Sequence, residues 1–390
     1  MKKILFLYEM EMPTVGIARN YWIHLSREYN IVSRFIRLID VKRVDLNWCD
    51  ILILIRPNNA LAWRIAHNVK ESGRFVITMC DDDLLHLPKS HPDLPWQRNG
   101  LIRALSNSSV VLSSSRYLIN EVIEYTADKR GVYMDTVVKP EELVQRNYET
   151  EDKHVKIVYA AGGGQHEDLF EKYVLPALKH VAAHNPNAFS LTFISVHPNC
   201  FGLEKVIPVR YVKEMSLLEY RKFMAESKFD IGLAPLDDSS FARCKYFNKY
   251  LEYTFSGIVG IYSNVQPYTY VVKERYNGLL ADNNIKSWQD HLEDAITNFP
   301  LRITCARNAQ EHVRTVFNEQ SIMSKLFEDI PELSSAAGKY CVCRRNVFWF
   351  VQYKLLRCIE YLYKAGFYMK KEGIGSVLHK IISRLKQLAR

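Results

Sequence analysis

No run of about 18 apolar residues, the length that crosses a bilayer as a helix, occurs in the 390-residue chain. A membrane-spanning protein is therefore not predicted. The apolar stretch Ile4–Tyr8, which follows Lys2 and Lys3, is too short for the hydrophobic region of a secretory signal peptide. We therefore expect a cytoplasmic protein.

Cys-x-x-Cys pairs are also missing from the sequence. The eight cysteines are scattered, and several lie inside apolar runs. Cys341 and Cys343 lack the spacing and the second pair of a zinc site. This pattern predicts buried, reduced thiols in a cytoplasmic protein, with no bound metal and no cofactor.

Acidic residues are scarce in one region only. Residues 339–390, which we call the basic tail, contain 12 Lys and Arg but only Glu360 and Glu372 as acids. The preceding residues contain 40 basic and 41 acidic side chains. The excess positive charge of the chain, +9, therefore belongs to the tail.

Aromatic residues alternate with cations in the tail from Asn346 to Lys371, and a second basic helix is expected at Val377–Leu388. A cationic helix with aromatic residues on its other face is typical of the headgroup region of an anionic membrane. Packing against the body of the protein or a second subunit is the alternative. Nucleic acid is not expected as a partner, because no groove-reading motif is present.

The length and the 48% apolar content predict a globular protein with two domains and an appendage. Short apolar runs alternate with amphipathic stretches, which is typical of βαβ units around parallel sheets. The predicted fold class is therefore α/β. The predicted strands are Ile4–Tyr8, Ile31–Leu38, Cys49–Ile55, Arg74–Cys80, Val110–Ser113, Val132–Val138, Val155–Ala161, Phe189–Val196, Val206–Tyr211, Asp230–Leu236 and Ile258–Tyr262.

The segment after the strand Asp230–Leu236 concentrates charges that suit a nucleotide diphosphate. Lys245, Lys249 and Glu252 fall at positions i, i+4 and i+7 of a predicted helix, so they share one face. Lysines can offset phosphate charge, and a carboxylate can accept hydrogen bonds from ribose hydroxyls. The alternative is a solvated helix face with an ordinary ion pair.

The pattern Lys-x3-Lys-x2-Glu-Tyr, followed by Gly257, an apolar strand and the loop Ser263–Tyr268, resembles the donor-binding segment of GT-B glycosyltransferases of the group 1, family 4-like branch. The resemblance covers about residues 155–330 well and 1–140 loosely, and it does not include the tail. It implies two Rossmann-like domains that face a central cleft. It also implies that Lys245 and Lys249 contact the pyrophosphate and that Glu252 holds the ribose. Arg243, Asn264 and Tyr268 are expected on the same donor side.

Three consecutive glycines, Gly162, Gly163 and Gly164, separate a predicted strand from a predicted helix. Glycines at such a turn let backbone N–H groups approach an anion at the helix N-terminus. The related enzymes carry a Gly-rich turn at this point, so we expect the backbone of these glycines to contact the donor's phosphates. His166 either donates to a phosphate or only caps the helix.

No G-x-G-x-x-G follows the first strand, and the acidic turn found there is a poor phosphate cradle. The first half has instead the run Asp81, Asp82 and Asp83, directly after the strand Arg74–Cys80. Three adjacent carboxylates raise at least one pKa, which suits a general base or a contact to the acceptor hydroxyl. A helix-capping loop and the metal-binding Asp-x-Asp motif of GT-A glycosyltransferases are the alternatives.

Together these features predict a glycosyltransferase that moves a sugar from a nucleotide-sugar to a glycan or lipid-linked acceptor without a metal. We expect it on the cytoplasmic membrane face, in bacterial surface polysaccharide assembly. The predicted parts are an acceptor-side domain (1–150), a donor domain (151–300), helices that cross back (301–330) and the basic tail. The alternatives are a GT-B nucleotide-sugar epimerase and a non-catalytic, membrane-recruited binding protein.

Overall fold

The computed structural model describes residues 1–375 apart from 13, 17, 20–21, 23–28, 87–94, 147–153, 162–166, 201, 337 and 345. The chain divides into two compact units. The first unit comprises Met1–Met134 and Leu326–Arg390, and the second comprises Asp135–Lys325. The domain boundaries drawn from the sequence stay predictions.

The first unit contains a six-stranded sheet in which all neighbouring strands run parallel. The strand order is β2-β1-β3-β4-β5-β6. Because the chain starts at β1, adds β2 on one side and then continues on the other, its topological switch point lies between β1 and β3. The strands are β1 (Lys2–Tyr8), β2 (Ile31–Arg37), β3 (Ile51–Ile55), β4 (Phe75–Cys80), β5 (Val110–Ser113) and β6 (Arg130–Tyr133).

The central strand β3 is apolar at every position and is buried along its whole length. Strands covered on both faces lose the alternation of apolar and polar residues, because neither face meets water. The covering helices include α2, in which Asn59 caps the N-terminus by accepting from two backbone N–H groups. The described helices of this part are α1 (Arg43–Trp48), α2 (Ala60–Glu71), α3 (Pro95–Ser106) and α4 (Arg116–Val122).

The second unit repeats this architecture with a parallel sheet of order β12-β11-β10-β7-β8-β9. Its switch point lies between β7 and β10, since β8 and β9 extend the sheet from β7 in one direction and β10, β11 and β12 extend it in the other. The strands are β7 (Val155–Ala160), β8 (Phe189–Ile194), β9 (Val209–Val212), β10 (Ile231–Ala234), β11 (Val259–Ser263) and β12 (Leu279–Ala281).

The helices of the second unit follow the strands in the βαβ manner. Helix α5 consists of three consecutive segments, Glu167–Leu169, a π-helical turn Phe170–Val174 and Leu175–His184. Next come α6 (Leu217–Ser227), α7 (Ser240–Arg243), α8 (Asn248–Phe255), α9 (Ile285–Thr297) and α10 (Phe299–Val316). Helix α11 (Glu319–Asp329) contains the point at which the chain returns to the first unit.

The fold class predicted from the sequence is confirmed, and the two strand boundaries that differ most from the prediction are the end of β6 and the start of β9. Strand β6 ends at Tyr133, not at 138, because its partner β5 ends at Ser113. Strand β9 begins at Val209, not at 206, because the preceding residues form a 3₁₀ turn over Leu203–Lys205 and Pro208 has no N–H to donate.

The prediction of one helix that carries Lys245, Lys249 and Glu252 is wrong. Helix α7 ends at Arg243 and α8 begins at Asn248, so Lys245 lies in the turn between them. The break buries the Phe247 ring, which packs edge-on against Phe317 at 5.7 Å between ring centroids. Burying a large aromatic ring at this point outweighs the backbone hydrogen bonds that a continuous helix would add.

The tail forms α12 (Val347–Glu372), whose inner face packs on the first unit. Phe350 and Tyr353 join the core cluster that includes α2 and the buried Cys343. In the part of the chain that the structure describes, no helix is long and apolar enough to cross a membrane. The second tail helix expected at Val377–Leu388 lies outside the described residues.

Candidate active site

The carboxyl ends of β7 and β10 form the switch-point edge of the second sheet. The Ser239 hydroxyl after β10 accepts from the Ala242 N–H and starts α7. Gly257, with a left-handed φ of +65°, ends the helical segment and leads into β11. These two signals place the donor segment predicted from the sequence at the edge where α/β sheets bind ligands.

Glu252 and Lys249 form a close ion pair on α8. Lys249 Nζ lies 2.5 Å from Glu252 Oε2, and the two side chains are 24% and 27% exposed. The same carboxylate oxygen accepts a hydrogen bond of 2.8 Å from the Tyr220 hydroxyl on α6. Lys249 Nζ also lies 5.4 Å from the centroid of the Tyr220 ring, within reach of a cation–π interaction.

Tyr220 was not predicted as a site residue. Burial, together with the nearby Glu252 carboxylate, raises the pKa of its phenol well above the ordinary value. Tyr220 therefore stays protonated at neutral pH and remains a donor that orients Glu252. The contact joins α6 to α8 across 32 positions of sequence, so no local pattern could indicate it.

Arg243, the last residue of α7, and Lys245, in the turn after it, precede this pair along the chain. Lys245 Nζ lies 5.4 Å from the Phe241 ring centroid. Arg243 makes two hydrogen bonds to Asp238, of 2.8 and 2.7 Å, in the bidentate geometry of a guanidinium and a carboxylate. After β10, the seven residues from Arg243 to Lys249 contain three cations, of which only Lys249 lies on α8 with Glu252.

The loop after β11 is anchored by Ser263. Its hydroxyl accepts from Leu236 N–H at 2.9 Å and donates to Asn283 Oδ1 at 2.7 Å, so it ties the ends of β10 and β11 together. Asn264 donates to Asp282 at 2.9 Å. Tyr268 is only 6% exposed and packs on the Tyr262 ring, so its aromatic face supports the site from within the core.

The glycine turn Gly162, Gly163 and Gly164 and the following His166 lie outside the described residues. The chain enters this turn from β7, at the switch point beside β10. Their predicted contact with the donor stays a prediction.

The switch-point edge of the first sheet is organised around Arg56, which the sequence did not single out. Arg56 follows β3 directly and has a left-handed φ of +50°, which is uncommon for a residue with a side chain. Its guanidinium lies 3.3 Å from Asp81 Oδ1 and 3.1 Å from Asp82 Oδ2. One cation therefore holds two members of the predicted acidic run.

Asp81 is the more enclosed of these two carboxylates. Thr14, in the segment after β1, donates a hydrogen bond to Asp81 Oδ2. Burial raises the pKa of Asp81, and the neighbouring Asp82 raises it further, while Arg56 acts in the opposite direction. Asp81 is therefore a carboxyl group of raised pKa at the carboxyl edge of the first sheet.

Asp83 has a different environment from its two neighbours. Its side chain is 1% exposed, and Oδ1 accepts from the Leu85 and His86 N–H groups at 3.0 Å each. Oδ2 lies 3.0 Å from His86 Nδ1. Asp83 therefore organises a local turn in which Leu85 and His86 are not helical, and the helix-capping alternative for the acidic run stays a prediction.

No group of three or more His, Cys, Asp or Glu side chains suited to a metal ion occurs in the part of the chain that the structure describes. None of the eight cysteines, all of which lie in the described residues, forms a disulfide, and six of them are buried. Burial raises the pKa of Cys49 and of Cys80 to about 12, so both stay as thiols.

Two parallel, Rossmann-like sheets with helices define the GT-B fold of glycosyltransferases. Comparison with solved structures shows this fold: the Anabaena protein HepE in complex with UDP and glucose has a TM-score of 0.59 at 14% identity, over 85% of this chain and 100% of that chain. A glycosyltransferase from Rickettsia africae ESF-5 has a TM-score of 0.58 at 13% identity, over 86% and 99%.

WaaG, a glycosyltransferase involved in lipopolysaccharide biosynthesis, has a TM-score of 0.53 at 12% identity, over 84% of this chain and 99% of that chain. No protein-family model and no curated protein matches the sequence. The similarity therefore establishes the fold, as predicted from the sequence. What the chain does must be inferred from its own residues.

Proposed function

We propose that this protein is a glycosyltransferase that moves a sugar from a nucleotide-sugar donor to a glycan or lipid-linked acceptor. The observation that carries the proposal is the Lys249–Glu252 pair, oriented by Tyr220, at the switch-point edge of the second sheet. HepE, which has the same fold, was crystallised with UDP and with UDP-glucose. A lysine and a carboxylate in this place suit the diphosphate and the ribose of such a donor.

In this proposal the pair separates when the donor binds. Lys249 exchanges Glu252 for a phosphate oxygen, while Tyr220 keeps its hydrogen bond to the carboxylate. Glu252 then accepts from the ribose hydroxyls. Lys245, Arg243 and the N–H groups of Gly162–Gly164 add positive potential as the bond between the anomeric carbon and the diphosphate oxygen breaks.

The acceptor is proposed to meet the acidic edge of the first unit. Asp82, whose side chain is 37% exposed, accepts a hydrogen bond from the acceptor hydroxyl or takes its proton. Arg56 holds Asp82 in place by an ion pair, and it also pairs with the less exposed Asp81. The acceptor oxygen then forms the new bond to the anomeric carbon.

We also propose that transfer needs no metal ion, because the cations after β10 can offset the charge of the leaving diphosphate. Activity that is unchanged by EDTA is expected. Loss of activity with EDTA and recovery with manganese would instead support the Asp-x-Asp interpretation of Asp81 and Asp83. The setting we propose is assembly of a bacterial surface polysaccharide at the cytoplasmic face of the membrane.

The test compares two lysine–carboxylate pairs on different helices. Lys249→Ala should weaken UDP binding in calorimetry and lower kcat/KM for transfer by about a hundredfold. Lys286→Ala is the matched control, because Lys286 also forms an ion pair along its helix, with Asp290, but is 75% exposed and follows β12, which β11 separates from β10.

Equal effects of the two substitutions would contradict the proposed donor site. Donor binding with release of free nucleotide, and with no glycosylated acceptor under any condition, would support the epimerase. Donor binding without any turnover would support a binding protein. Screening UDP, other nucleotides and their sugars by thermal shift would name the donor, because a bound ligand stabilises the folded state.

A further inference from the structure

Helix α12 has two faces with different surroundings. Its inner face packs on the first unit through Phe350 and Tyr353. On the same face Arg357 Nε lies 3.1 Å from Glu9 Oε1 and its guanidinium also pairs with Glu360, which is 2% exposed. These packed and charged contacts hold the helix in one rotational orientation.

The outer face of α12 carries a continuous apolar stripe, which we call the outer stripe. Its members recur at intervals of three or four residues, apart from one gap at Gly366, so they lie along one side of the helix. They are Phe348, Val351, Leu355, Ile359, Leu362 and Met369. Phe348 is 67% exposed, Leu355 is 62% exposed and Leu362 is 74% exposed. The outer stripe is about 32 Å long.

Among the side chains of α12 that the structure describes, the exposed charges beside the outer stripe are cations. Lys354 and Lys370 are exposed beside it. The acid Glu360 belongs to the buried inner face, where Arg357 neutralises it. An apolar surface bordered by cations is complementary to a layer of anionic headgroups above acyl chains.

We propose that the outer stripe binds the surface of an anionic lipid bilayer, with α12 parallel to the membrane plane. The apolar side chains enter the headgroup boundary, and Lys354 and Lys370 contact lipid phosphates. A second copy of the chain is the less favoured occupant, because two tails of the same strong positive charge would repel each other. The inference specifies the membrane contact of the proposed enzyme and to that extent rests on the proposed function.

Sedimentation of the full-length protein with vesicles tests this surface. Vesicles of phosphatidylcholine with phosphatidylglycerol should bind the protein, binding should weaken at high salt, and vesicles of phosphatidylcholine alone should bind it much less. The double variant Leu355→Asp/Leu362→Asp should lower the partition coefficient by about a hundredfold, because two apolar anchors are lost and two negative charges are added.

The matched control is Leu217→Asp/Leu218→Asp at the start of α6, where the two leucines are 53% and 80% exposed. It makes the same change of composition and charge away from the tail, so vesicle binding should stay close to that of the natural protein. All four leucines are exposed, and circular dichroism and thermal unfolding should therefore match across the variants.

Unchanged vesicle binding by the α12 variant would overturn the proposal and would transfer the membrane contact to other residues. Equal binding to both vesicle compositions would overturn the electrostatic part. A natural protein that ignores vesicles but dissociates from dimer to monomer in the α12 variant would assign the outer stripe to a second copy. Vesicle binding requires no donor, so its result is separate from any failure of sugar transfer.

Discussion

The switch-point edges of the two sheets differ in the charge at their centre, which is a cation at the first edge and a carboxylate at the second. At the first edge one cation, Arg56, holds two carboxylates, Asp81 and Asp82. At the second edge one carboxylate, Glu252, holds a lysine and a phenol. In both places the chain supplies its own counter-charge, so a ligand must replace an existing contact. The same topology thus produces an acidic edge suited to hydroxyl groups and a cationic edge suited to phosphates.

The largest effect is expected at the exposed carboxylate of the first edge. Asp82→Asn should lower kcat for transfer about a hundredfold or more, because the side chain can no longer take a proton. Binding of UDP, measured by calorimetry, should be unchanged. A variant that transfers sugar at the natural rate would remove Asp82 from the mechanism and leave the first edge with only a binding role.

Asp83→Ala tests whether Asp83 has a structural role, in contrast to the catalytic role proposed for its neighbour Asp82. Two backbone N–H groups lose the carboxylate that they donate to, so the free energy of unfolding should fall by about 2 kcal/mol. Urea unfolding measures this loss. Turnover per folded molecule should change far less than in Asp82→Asn. The reverse pattern, with stability intact and turnover lost, would assign catalysis to Asp83.

Tyr220→Phe tests whether the phenol positions Glu252 at the second edge. Loss of one hydrogen bond to a carboxylate should raise KM for the donor about fivefold to tenfold and leave kcat nearly unchanged. Steady-state kinetics with varied donor separates the two constants. A fall in kcat with no change in KM would show that Tyr220 acts on the reacting atoms and is not a positioning residue.

The smallest effect concerns pH and the enclosed carboxyl of the first edge. Because folding raises the pKa of Asp81, its favourable contribution is present at acid pH and is lost as pH rises through the folded-state value. Asp81→Asn, which cannot ionise, should therefore gain stability relative to the natural protein between acid and neutral pH. Denaturant unfolding of both proteins at an acid and at a neutral pH measures this difference in the free energy of unfolding. A gap that is constant with pH would contradict the raised pKa of Asp81.

Local patterns were sufficient to locate eleven of the described strands and one helix start. The apolar run Val110–Ser113 is a strand with the predicted bounds, and Ser216 and Glu219, three residues apart, form the capping box that opens α6. Such features depend on neighbours in sequence, because a buried strand excludes polar groups and a cap satisfies N–H groups within one turn. The donor segment was predicted on the same basis, from residues in one continuous stretch.

The chain order of apolar runs, glycines and caps thus determined the two parallel sheets and the loops that leave their carboxyl ends. Folding in three dimensions decided which charges meet there. Arg56 reaches Asp81 and Asp82 only because β3 and β4 are adjacent, and Tyr220 reaches Glu252 only because α6 lies beside α8. Pairing of distant side chains depends on packing distances that no spacing along the chain encodes. Packing also decided the position of Lys245. Local periodicity favoured one continuous helix, but Phe247 is buried where the helix breaks, so Lys245 lies outside α8.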